Sequence, residues 1–93
     1  MKRLELPSID LKDTMEMMAS SDYKERFKAE YYQLKIRYVK LNNMCVTWDS
    51  PTDELGFAPT CPRKMYDEQL EAMDTYLSVL EARAKLEGVT LDL

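Results

Sequence analysis

Residues 22–46 read DYKERFKAEYYQLKIRYVKLNNMCV, and their periodicity decides the fold. Phe27, Tyr31, Leu34, Tyr38, Leu41 and Cys45 recur at alternating steps of four and three, the seam of a coiled-coil-like hairpin. At about 100° per residue these six positions fall within roughly 40° of one meridian. Tyr32, Ile36, Val39 and Val46 fall on nearly the opposite side, at about 100° to 180°. A helix with two apolar stripes needs a cover for each: one stripe can pack on a second long helix, the other on a short helix or another subunit. Asp22, followed three residues later by Glu25, resembles a capping box that opens this helix.

The partner for the first stripe lies downstream. Tyr66, Leu70, Met73, Leu77, Leu80 and Ala84 repeat at four and three, and Met65, Ala72, Tyr76, Val79 and Leu86 widen the apolar surface. Thr60 or Cys61 is placed to cap a helix over 62–87, Pro62 suits its first position, and Gly88 ends it. Charge supports the pairing: residues 22–40 carry six basic and three acidic side chains, residues 62–93 four and seven. Between the two helices, residues 47–61 (TWDSPTDELGFAPTC) form a connection of about 15 residues, longer than most helix–helix loops. Trp48, Leu55 and Phe57 suggest that it folds back onto the hairpin end. Upstream, Ser8 can cap a short helix over about 9–19 with Leu11, Met15 and Met18 on one face. The expected fold is all-α: one domain over 1–93, with a short N-terminal helix lying across a long antiparallel hairpin. So thin a hairpin buries little core alone, which favours self-association.

Composition narrows the function. In 93 residues there is no histidine, there are two cysteines and two glycines, and the net charge is −4. Histidine-based acid–base chemistry, a four-thiolate zinc site and a Gly-rich phosphate loop are excluded. No cofactor or metal is expected, and the acidic balance disfavours broad nucleic-acid or anionic-membrane binding. The opening MKRLELPSID lacks a signal-peptide core, and no apolar run approaches a membrane span. Composition points away from an enzyme.

The candidate binding residues are few. Arg63 and Lys64 stand in the first turn of the last helix, where the helix dipole disfavours cations; unpaired N–H groups there and two basic side chains suit a phosphate or carboxylate. Pairing with Asp67, Glu68 or loop acids is the bland reading of the same residues. Thr60 belongs to this stretch. Tyr38 and Trp48 are candidates to stack on a base, with Arg37 adding charge; core packing is the alternative for any tyrosine, and anchoring its own loop the alternative for Trp48. Methionines 15, 18 and 73 are read as core, and Cys45 and Cys61 as reduced thiols, Cys45 buried.

The strings YKERFKAEYYQLKIRYVKLNNM, FAPTCP and EQLEAMDTYLSVLEARAKLEG resemble a family of small helical proteins encoded by bacteriophages and prophages, including crAss-like gut phages. The similarity runs over about 22–88 and is most specific at Phe57-Ala58-Pro59-Thr60-Cys61-Pro62 followed by Glu68-Gln69. In architecture the chain is similar to the hairpin of phage anti-CBASS and anti-Thoeris sponge proteins, oligomers that sequester cyclic nucleotide signals between subunits without cleaving them. Arg63 matches the basic residue that starts the last helix of that pattern, and Glu71-Ala72 also fits; the richer tyrosine stripe and the first helix depart from it. The resemblance implies a homo-oligomeric counter-defence protein of the host bacterial cytoplasm with a cyclic nucleotide or ADP-ribose-type ligand, and Arg63, Lys64, Arg37, Tyr38, Trp48 and Thr60, singled out above from their own chemistry, are the residues expected to hold it. The rival expectation is a helical interaction module that inhibits a host protein through an exposed face anchored by Tyr32, Ile36 and Val39.

Overall fold

The computed structural model describes residues 1–91, so the last two positions of the expected 1–93 unit lie outside the described residues. The fold is all-helical: α1 (Thr14–Met18), α2 (Tyr23–Asp49) and α3 (Arg63–Glu87). The body measures 45 × 24 × 21 Å, its long axis set by the 27-residue α2.

The two long helices form the expected hairpin. Asp22 caps α2, its carboxylate accepting from the Lys24 N–H at 3.0 Å. The reciprocal half of the capping box is absent, because Ser20 Oγ takes the Asp22 N–H and Glu25 turns to Lys28. Past Val46 the helix continues to Asp49 and stops at Ser50, whose ψ of 132° is the extended conformation that a following proline imposes. For α3, Pro62 occupies the N-cap position itself and no side chain caps the helix, which corrects the expected cap at Thr60 or Cys61. At the other end Gly88 adopts φ 71°, and the Val89 N–H reaches back to the Ala84 carbonyl at 2.8 Å, closing a Schellman turn that buries Val89.

Between α2 and α3 the seam residues Phe27, Tyr31, Leu77, Leu80 and Ala84 are buried. Tyrosine hydroxyls cross the seam to carboxylates on the facing helix. Tyr31 donates to Glu81 at 2.8 Å, Tyr76 donates to Glu30, and Tyr23 donates to Glu87. Tyr31 is thereby packed while its polar end reaches the boundary, whereas Tyr23 and Tyr76 are exposed and latch the rims of the seam.

The second stripe is covered by the chain's own N-terminal segment. Asn43 brackets Leu4, accepting from its N–H at 2.8 Å and donating to its carbonyl at 2.9 Å. Asn42 donates to the Lys2 carbonyl at 2.7 Å, and Arg3 donates to Thr47. From there the segment runs antiparallel to α2 until Thr14, fully buried, accepts from Gln33 at 3.1 Å. Tyr32, Ile36 and Val39 are consequently 3%, 3% and 0% exposed. They are not a docking face, which corrects the rival expectation for these residues.

The first helix is much shorter than the expected 9–19. Asp10 and Asp13 exchange side-chain-to-backbone hydrogen bonds, each accepting the other's N–H at 3.1 to 3.2 Å. That reciprocal pairing is a capping box; it opens a tighter turn of three-residue bonds, Asp13 N–H to Asp10, Thr14 to Leu11 and Met15 to Lys12, and the α-helix begins at Thr14. The register of the short helix leaves Met15 and Met18 exposed, while Ile9 and Met17 pack on the core, correcting the core assignment of the first two. Phe57 is likewise exposed rather than folded back onto the hairpin end.

Candidate functional site

The six expected site residues fall into two regions. Trp48, Thr60 and Arg63 meet at the hairpin tip. Arg63 forms a bidentate pair with Asp49, its Nη2 at 2.9 Å from Oδ2, and its Nε donates to Asp67 at 3.0 Å. The guanidinium also lies 5.4 Å from the centre of the Trp48 ring, which in turn meets Tyr66 edge-on at 6.1 Å. Tyr66 OH accepts from the Thr60 N–H at 3.3 Å and pairs with the Thr60 hydroxyl. The cluster therefore closes the connection onto the hairpin: Arg63 is ringed by two carboxylates, and Trp48 anchors its own loop end. These contacts hold the Asp49 carboxyl below its ordinary range, chiefly through the hydrogen bond from Arg63, and raise the Arg63 pKa through the same bond. Lys64 points into solvent, with Glu68 4.0 Å away. Cys45 is buried beneath the tip and its thiol is pushed up by that burial, whereas Cys61 is exposed; both are free.

Arg37 and Tyr38 lie 11 and 10 residues before Trp48, so about 15 to 17 Å along the helix axis from the tip. Adjacent in sequence, they point apart. Tyr38 is half-buried against the core cluster, and its hydroxyl pKa is raised by burial and by Asp74. Arg37 is exposed and makes no hydrogen bond or ion pair among the described residues.

Arg37 borders an open groove of about 280 Å³ lined by Met18, Arg26, Glu30, Gln33 and Leu34, near the lower end of ligand-pocket volumes. Arg26 donates to the Ser20 carbonyl at 2.9 Å, which fixes one edge. Gln33 points its amide nitrogen at Thr14 and Met18, leaving its carbonyl oxygen available. Leu34 and Met18 supply apolar surface. Arg26 and Gln33 were not among the expected site residues. Their signal was in the sequence: Arg26, Gln33 and Arg37 are spaced seven and four apart and share one helical face. A larger groove of about 550 Å³ lies between Lys12, Asp13, Glu16, Met17, Ser20 and Glu25; with three carboxylates to one ammonium it repels an anion. No group of three or more metal-binding side chains occurs among the described residues, and none of their helices is long and apolar enough to cross a membrane.

These features define a small all-α hairpin protein with an open, arginine-edged groove and a closed aromatic tip. The chain belongs to the Sequestin family: a family model of that description matches residues 21–86. The match covers α2, the connection and all of α3 but its last residue, and leaves out the N-terminal segment that covers the second stripe. The family's name is consistent with binding and sequestering a molecule, a binding role rather than a catalytic one. Comparison with curated proteins and with solved structures gave no match.

Proposed function

We propose that the protein captures a nucleotide-derived small molecule, of the cyclic nucleotide or ADP-ribose type, and holds it without cleaving it. The observation that carries this reading is the unpaired Arg37 guanidinium at the edge of the α2 groove. Guanidinium and phosphate match in planar bidentate geometry. The Gln33 carbonyl can accept from a base or ribose, and Leu34 with Met18 offers a base an apolar surface. Arg63 is the weaker candidate for phosphate, because a ligand there displaces Asp49 from an existing bidentate pair. Lys64 stands in solvent with Glu68 4.0 Å away, which offsets its charge. Because the groove is open on one protomer, enclosing a ligand takes a second wall, which a neighbouring subunit of a homo-oligomer would supply. A counter-defence role in the cytoplasm of a phage-infected bacterium is part of the same proposal and is supported by the resemblance to phage hairpins.

Calorimetric titration of a panel of cyclic nucleotides and ADP-ribose derivatives tests the assignment. Arg37→Ala is expected to weaken binding about 10- to 150-fold, the range for losing a charged hydrogen bond. Arg63→Ala is expected to leave affinity within a few-fold while loosening the tip. Full affinity in Arg37→Ala, with loss in an Arg63→Ala, Lys64→Ala double variant, would move the site to the tip.

A further inference from the structure

The outer face of α3 carries a second seam that none of the described residues covers. Met65, Ala72, Val79 and Leu86 recur at intervals of seven, and Glu68, Thr75 and Ala82 stand three residues after the first three of them. All seven are exposed: Met65, Val79 and Leu86 at 53%, 51% and 88%. Steps of three and four sustained over 65–86 make a coiled-coil seam about 32 Å long, roughly opposite the seam that packs on α2. The small residues in its middle let another backbone approach closely. Glu68, Glu71, Ala72 and Thr75 line a shallow depression there. Their spacing of i, i+3, i+4 and i+7 is that of the four corners of a hole that accepts a side chain from a facing helix.

Two further observations say what covers this face. The protomer exposes 6479 Å², against about 5,600 Å² for a compact monomer of its mass. That excess of about 900 Å² is spread over the elongated 45 × 24 × 21 Å body, and it leaves room for the roughly 800 Å² that each partner buries in a standard interface. The charges flanking the seam are also self-complementary in one orientation. Glu68 and Glu71 lie on the N-terminal half and Lys85 on the C-terminal half, and neither Glu71 nor Lys85 has a side-chain partner among the described residues. An antiparallel crossing centred near residue 77 sets Glu71 beside the partner's Lys85 twice over and stacks Ala72 on the partner's Ala82. A parallel crossing would instead set Glu71 against the partner subunit's Tyr76, five residues on, and leave Glu71 and Lys85 without an opposite charge.

We infer that α3 is the interface of an antiparallel homodimer, related by a twofold axis near the level of residue 77. The groove proposed for the ligand is on α2, away from this seam, so the α3 dimer does not supply the groove's second wall and does not rest on the nucleotide reading; a chain monomeric at all concentrations counts against both, whereas a dimer that captures no ligand counts against the nucleotide reading alone.

Sedimentation equilibrium of the full chain over a wide concentration range, without ligand, tests it. The wild type should sediment as a dimer. Ala72→Glu should raise the dimer dissociation constant about 100-fold or more, by placing a charge in the middle of the seam, while its helical circular dichroism is retained. Glu71→Lys and Lys85→Glu should each weaken the dimer, and the double swap should restore it, since the swap re-pairs the charges only in the antiparallel register. A monomer at all concentrations overturns the inference. So does an oligomer indifferent to Ala72→Glu, which would place the contact on another face. Single swaps that the double swap fails to rescue overturn the antiparallel register.

Discussion

Replacing Ile36 with alanine tests the third layer of the fold, because the residue's worth depends wholly on whether residues 1–20 cover it. Ile36 is 3% exposed. Removing its outer carbons forfeits about 2.4 kcal/mol of transfer free energy, at about 0.8 kcal/mol per buried methylene. A residual cavity adds roughly 1 to 2 kcal/mol at about 24 cal/mol per Å³. Little collapse is expected, since the site already borders a gap of about 80 Å³ between Leu6, Pro7, Ile9 and Leu11. The loss should therefore be about 3.4 to 4.4 kcal/mol, a large share of the stability of a small domain. With a urea m-value of about 1 to 1.5 kcal/mol per molar, the midpoint should drop by about 2 to 4 M. The assay is urea unfolding followed by circular dichroism at one fixed protein concentration, with Met15→Ala as the control; Met15 is 64% exposed and should change stability by less than about 0.5 kcal/mol. A comparably small change in Ile36→Ala would refute the reasoning, because the second stripe of α2 would then face solvent and the exposed-face reading would return.

Further expectations follow from the same structure. Tyr31 is buried and donates to Glu81, and both effects push its pKa above the ordinary value of 10; the folded state holds the phenolic proton more tightly than the unfolded state. Stability should be flat below about pH 10 and fall as pH rises above it, and urea midpoints between pH 8 and 11 should decline less steeply in Tyr31→Phe. A thiol reagent should label one cysteine per native chain rapidly, Cys61, and reach Cys45 only on unfolding, as its burial and raised pKa require. Gly88→Ala should cost about 1 to 2 kcal/mol, measurable as a fall of roughly 4 to 16 °C in Tm. That cost comes from the backbone, since φ is +71° and the nearest atom to an added Cβ is the flexible Lys24 Nζ at 3.7 Å.

The hairpin was legible because its signals are local and repeated. Six positions at four-and-three spacing on each long helix, Asp22 before the first and Gly88 after the second agree with one another, and the buried residues of both seams follow that pattern. The N-terminal layer was harder to read, since it is held by polar groups whose partners are distant in sequence. Asn42 and Asn43 sit among apolar neighbours with no periodic signal, yet they pin Lys2 and Leu4 some 40 positions away. Asp10 and Asp13 form a reciprocal capping box, and the turn it opens keeps three-residue bonds up to Met15, a tightening that no local pattern announces.

The site was legible in part for a similar reason. Internal pairing of Arg63 with Asp67 follows from i, i+4 spacing, whereas the bond to Asp49 depends on how the connection closes. Arg37 was readable as a charge on α2. The groove beside it exists only because α1 brings Met18 against Gln33 and Leu34, and that contact depends on a helix whose bounds the sequence did not reveal.

Sequestration itself is tested most directly by native mass spectrometry of the purified protein, incubated with cyclic nucleotides and ADP-ribose derivatives and examined before and after release of the ligand. The account predicts a discrete added mass per binding site, loss of that mass in Arg37→Ala, and recovery of the ligand at its starting mass. A protein that gains no mass from any member of the panel, or that returns a cleaved product, would contradict it.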